Sequence, residues 1–150
     1  MPFRTLTAET IASWERDVGP TPIHGVELEL LRGGTVEAHC HFRGQIMFAA
    51  SGVITVSMCD KSWVISGPRA IWVPEGLPHR IFASTSAEIR NLQVSRGIAP
   101  HLPSQASVIA VSPLFRELLV TAVSGPNEIP IGGREQKILD LLLVEFRPAQ

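Results

Sequence analysis

Residues Gly33 to Gly52 read GGTVEAHCHFRGQIMFAASG, and a second stretch, Gly67 to His79, reads GPRAIWVPEGLPH. In an extended strand, side chains alternate between faces, so His39 and His41 leave one face while Cys40 leaves the other. Gln45 keeps the same odd parity beyond a bend at Gly44. His79 follows the turn Pro74-Glu75-Gly76-Leu77-Pro78. Four side chains able to ligate a metal can therefore look into one space.

Working outward, Ile23 to Ser95 breaks into short β-type runs separated by Gly, Pro or polar turns, the spacing of an all-β sandwich or barrel. The predicted strands are Gly25–Arg32, Val36–His41, Gln45–Ala50, Gly52–Cys59, Ser62–Ile65, Ala70–Val73, His79–Ala83 and Ala87–Val94, with Ser107–Val111 as an added edge strand. Eight such strands suit a jelly-roll-like double sheet. Residues 1–22 form an N-terminal arm with one helix-compatible piece, Ala8–Asp17, capped by Thr7; the arm reads as unanchored and partly mobile, with docking of Trp14 on the body or over the mouth of a pocket as the alternative. Residues 23–111 are the barrel.

From residue 112 to 150 the period changes. Ser112-Pro113 opens a helix that carries Leu114, Phe115, Leu118, Leu119 and Ala122 on one face and stops at Ser124-Gly125-Pro126. A second helix is predicted from Arg134 to Phe146. Its Ile138-to-Val144 run is apolar almost all round, more than one packing face needs. A homodimer through Leu118, Ile138, Leu139, Leu142 and Phe146 is the expectation.

The 150 residues are enough for one domain with a real core. With 45% hydrophobic and 18% charged residues the chain is globular, and a net charge of −1 leaves no basic footprint for nucleic acid. Two cysteines, Cys40 and Cys59, give no reason to expect a disulfide. The first residues lack the apolar core of a signal peptide, and no apolar run reaches membrane-spanning length. A cytoplasmic protein is expected, with no membrane partner. There is no phosphate loop, nucleophile elbow or CxxC pair.

Gly33, His39, His41, Gln45 and Gly52 fall at the spacing of the first cupin motif, G-x5-H-x-H-x3-E-x6-G, with glutamine in place of glutamate. Pro74, Gly76 and His79 match the centre of the second motif, although Gly67 lies one residue too far upstream and Ala83 stands where asparagine is expected. RAIWVPEGLPHRI, Arg69–Ile81, resembles the N-terminal sensor domains of AraC-type transcription regulators, and the closing LLLVEFRPAQ resembles their passage toward the DNA-binding half. The resemblance covers roughly Gly25 to Gln150. It implies a mostly β fold, a cupin (jelly-roll-like) double-stranded β-barrel followed by two α-helices, in which those helices make the dimer interface. DNA would be reached only through a C-terminal helix-turn-helix region outside these 150 residues. The chain is then either a sensor domain taken from a longer regulator or a stand-alone cupin.

His39, His41, Gln45 and His79 form a ligand set suited to a divalent transition metal: zinc, nickel, iron or copper. With glutamine for glutamate, the ion keeps its full charge, which weakens retention and favours a small anion in an open position. The expected function is effector sensing and dimerisation, with a small molecule or the metal as effector and no catalysis. The alternative is a small metal-dependent cupin enzyme, a dioxygenase or isomerase. Cys40 reads as core packing, Trp63 and Trp72 as barrel packing with the pocket wall as the alternative, Arg43, Arg69 and Arg80 as solvated surface, and His24 and His101 as loop or strand-end residues.

Overall fold

The computed structural model describes residues 2–149. Its elements are β1 (Phe3–Leu6), α1 (Ala8–Val18), β2 (Ile23–His39), β3 (Gly44–Ser51), β4 (Ile54–Met58), β5 (Lys61–Ile65), β6 (Arg69–Val73), β7 (His79–Ala83), β8 (Ala87–Val94), β9 (Ser107–Ala110), α2 (Pro113–Val123) and α3 (Arg134–Val144). The two strands expected at Gly25–Arg32 and Val36–His41 are one strand of 17 residues. Gly33, at φ +79°, makes this continuity possible by taking a left-handed conformation in mid-strand. The chain turns a corner there without leaving the sheet.

That corner divides the sheet into two leaves. Before it, Ile23–Leu30 pairs with β8; beyond it, Thr35, Val36 and His39 pair with β7. The strand order β5-β4-β7-β2-β8-β3-β6-β9 therefore folds about β2, with β7, β4 and β5 on one side and β8, β3, β6 and β9 on the other. Every pairing along this path is antiparallel. The result is the curled, mostly β half-barrel with two C-terminal helices that the motif reading implied.

Between the leaves lies one apolar core, with Leu28, Leu30, Met47, Ile54, Val56, Ile65, Ile71, Ile81 and Ile89 all buried. A second core covers the outer face of the β8-β3-β6 leaf, where Ile46, Phe48, Ala70, Trp72, Leu92 and Val94 meet Phe115, Leu119 and Val123 of α2 and Leu139 and Leu142 of α3. β3 is thus apolar on both faces, which is why its sequence runs IMFAA instead of alternating. Each fully buried side chain of this size contributes about 1.5–3 kcal/mol.

The double core corrects two expectations. Trp72 has the parity of the outer face: it packs edge-on against Phe146 at 5.8 Å and donates its Nε1–H to Pro103 O at 2.7 Å. Trp63, by contrast, does pack against the barrel core. Leu139 and Leu142, expected at a dimer face, are buried within the chain itself, and Leu118 and Phe146 pack partly against the same core. Leu114, Leu141 and Val144 are the large apolar side chains of these helices that remain exposed. α3 ends at Val144, two residues before the expected Phe146. The Ser112 cap is as expected, its hydroxyl accepting from Phe115 N–H at 3.1 Å.

The arm is anchored, contrary to expectation. β1 pairs in parallel with β2, Phe3 beside Leu30 and Leu6 beside Val36. Thr7 caps α1 as predicted, and Glu37 of β2 also accepts from Ala8 N–H at 2.9 Å. At the other end Arg43, only 1% exposed, donates to Gly19 O, to Thr21 O at 2.8 Å and to Gln93 Oε1 at 3.1 Å. Arg43 is therefore a buried clamp and not a solvated surface residue; Arg69 and Arg80 are exposed as expected.

Candidate metal centre

Strand parity alone would not place His39 inside the barrel. Val36 pairs with Ile81 and His39 pairs with His79, three residues on one strand against two on the other. This extra residue is a bulge, and it moves odd-numbered His39 onto the inward face that Val36 already uses. Beyond the end of β2 the alternation holds: His41 is buried and Cys40 is exposed, so Cys40 is not core packing. The second segment reaches the first through its turn, where Gly76, at φ +73°, donates its N–H to His41 O at 2.7 Å. Only glycine takes that conformation without strain.

The three imidazoles converge. Ring centroids are 4.3 Å apart for His39–His79, 4.8 Å for His39–His41 and 5.5 Å for His41–His79, and one nitrogen from each lies within 4.8 Å of the others. His39 Nδ1–H donates to Glu37 O at 2.6 Å and His79 Nδ1–H to Leu77 O at 3.0 Å. In both rings the backbone contact fixes the tautomer that leaves Nε2 with its lone pair, as a metal ligand requires. Gln45 lies beside them. Its amide donates to His79 Nε2 at 2.6 Å, and its Oε1 accepts from Asn91 Nδ2 at 2.5 Å.

Burial keeps the cluster neutral. It pushes His41 down to about 3 and His79 to about 4, the neighbouring imidazoles adding to the effect, and it lowers His39 as well. Neutral imidazoles are the ligating form. The donor set therefore fits a divalent transition metal: three nitrogens from His39, His41 and His79, with the Gln45 amide alongside.

Sequence reasoning missed several residues of this site. Glu15 of α1 brings Oε1 to 3.1 Å from His41 Nδ1. Neither atom makes an aligned hydrogen bond, and both are sealed from solvent. Burial raises the Glu15 carboxyl, opposed by Arg43 and the Phe42 N–H. His24, expected at a strand end, faces the same interior, as do Asn91 and Gln93 of β8. The signals were present: Glu15 shares a helical face with Ile11 and Trp14, and Arg43 has the parity of Gln45.

The space under Ile11, Trp14 and Glu15, next to His39 and His41, measures only about 30 Å³. A larger groove of about 350 Å³, between Gly44, Trp72 and Pro103, lies outside the barrel and holds none of the histidines. No helix among the described residues is long and apolar enough to cross a membrane.

Fold and side chains together define a curled antiparallel β half-barrel with an inward cluster of three histidines and a helical pair on its outer face. No family model matches the chain. It is similar to the HTH-type transcriptional regulator NimR of Escherichia coli K12, 31% identical over 87 residues that make up 58% of this chain and 32% of NimR. The chain thus spans about a third of that regulator. Among solved structures, apo ToxT K231A from Vibrio cholerae superposes on 83% of this chain and 54% of its own with a TM-score of 0.60 at 11% identity. Fatty-acid-bound wild-type ToxT matches 81% of this chain and 52% of its own, with a TM-score of 0.59 and 11% identity. At such identities the likeness concerns the fold, and it takes in more than the barrel.

Proposed function

We propose that this chain is the effector-sensing barrel of an AraC-type transcription regulator and that a divalent transition metal, held by His39, His41 and His79 with Gln45 alongside, is the effector or binds it. The observation that carries this reading is the neutral three-histidine cluster under a docked N-terminal helix, in a chain similar to a transcription regulator. The metal would supply a Lewis-acidic centre for a small anion. An effector of fatty-acid size, such as ToxT binds, does not fit a 30 Å³ space while α1 is in place. The same lack of room speaks against a cupin enzyme with an organic substrate.

In this reading the chain works in the cytoplasm as a homodimer through Leu114, Leu118, Ile138, Leu141, Val144 and Phe146, and DNA is contacted by a region outside these residues. The test is a fusion to a DNA-binding domain that holds its operator only as a dimer. Repression should change when zinc is supplied, and His79→Ala should abolish the response. Oxygen uptake with candidate diketones, unaltered repression and tight metal binding would together favour the enzyme.

A further inference from the structure

Residues 37–43 face two ways. His39 and His41 look into the histidine cluster, while Glu37, His41 and Arg43 also touch the arm: Glu37 at the first turn of α1, His41 at Glu15, and Arg43 at Gly19 and Thr21. His41 is therefore shared between the metal centre and the arm. The motif position that normally carries a carboxylate holds Gln45, and Gln45 is occupied by Asn91 and His79. The carboxylate in the neighbourhood comes instead from α1, and its Oε1 lies 3.1 Å from Nδ1 of His41, which leaves Nε2 as the nitrogen open to a metal.

We infer that Glu15 is the positioning carboxylate of the metal centre, delivered by the arm: it takes the His41 Nδ1–H, presents His41 Nε2 to the ion and so couples metal binding to docking of α1. This rests on the three-histidine reading above. The buried, unaligned Glu15 Oε1 and His41 Nδ1 are what the inference explains. Both are cut off from solvent and from other partners, at a separation that a small ring rotation converts into a hydrogen bond. A carboxylate behind a ligating imidazole fixes its orientation and raises its basicity. Coupling is reciprocal: if the docked arm tightens the ion, the ion must hold the arm by the same factor.

The test uses zinc alone as the probe on the 150-residue chain, with affinity read by calorimetry and arm docking by hydrogen exchange of the α1 amides. Zinc should slow exchange across α1 in the wild-type chain. Glu15→Ala should lower zinc affinity about 10- to 100-fold and leave α1 exchange indifferent to zinc, while Glu15→Gln, whose amide oxygen still accepts the hydrogen bond from His41 Nδ1–H, restores part of both. A Glu15→Ala chain that binds zinc within about twofold of wild type overturns the coupling, even if its arm is loose, because Glu15 would then be an arm anchor only. A wild-type chain that binds no zinc overturns the three-histidine reading and this inference with it. Zinc binding by the wild type that leaves α1 exchange unchanged overturns the coupling alone.

Discussion

The Gln45 amide donates to His79 Nε2 at 2.6 Å, so the atom best placed to ligate a metal is already engaged by the side chain that replaces the motif's carboxylate. An ion entering the cluster must displace that hydrogen bond. Gln45→Glu removes the competing donor and adds a charge, and it should tighten zinc by at least about tenfold, roughly 1.4 kcal/mol. The metal-free variant should melt lower than wild type, because the carboxylate is buried without a cation. Paired calorimetry and thermal melts measure both effects.

Zinc at about 100 times its dissociation constant should stabilise the chain by about 2.7 kcal/mol, provided the unfolded chain does not bind it. Addition of a chelator should reverse the gain. His79→Ala should show no gain while keeping its fold, as read by far-ultraviolet circular dichroism.

Acid should destabilise the metal-free chain. The folded values of His41, about 3, and His79, about 4, lie below the ordinary 6.5, with burial the main cause in each. The unfolded chain therefore takes up protons first. This contribution is complete above pH 6.5 and is lost as pH falls toward the folded values. Glu15, raised by burial, offsets part of the loss at the acid end. Melting temperatures should drop by roughly 5–10 °C between pH 7 and pH 5; a flat profile would show that the imidazoles are not desolvated.

Arg43→Met should free the arm. It removes the donors to Gly19 O, Thr21 O and Gln93 Oε1 at a position where the side chain is 1% exposed. The expected cost is about 2–4 kcal/mol, read from the urea midpoint. Trypsin cleavage after Arg16 in α1 should accelerate about tenfold or more as local opening becomes easier.

Leu141→Lys together with Val144→Lys should leave the melting temperature nearly unchanged, since both side chains are exposed. If α3 forms the dimer face, the same double variant should convert a dimer to a monomer in light scattering. Leu142→Ala, in the second core, should instead cost about 2–5 kcal/mol.

The barrel and the histidines were legible because they rest on local signals: turn residues between alternating runs, and His39, His41, Gln45 and His79 at recognisable spacing. The continuity of β2 was not, since a left-handed Gly33 looks the same in a strand corner as in a loop. The bulge that turns His39 inward depends on register with His79, a long-range property. The arm was misread for the same reason. Its anchors Glu37, His41 and Arg43 belong to the barrel, and Trp14, which packs on the barrel core, is the sign of docking that the arm itself carries. Leu139 and Leu142 read as interface residues from the sequence because the outer face of the β8-β3-β6 leaf, which needs covering, cannot be counted from α3.

The small space beneath α1 sets a threshold for the proposed effector. An organic effector of the proposed barrel would have to displace Ile11 and Trp14 from this space, and its observed affinity would then be its intrinsic affinity multiplied by the fraction of time the arm is away. A bare ion escapes that toll. In the proposed sensor the same plug would act as a size filter, admitting the smallest ligands at full strength and discounting all others by the arm's own stability.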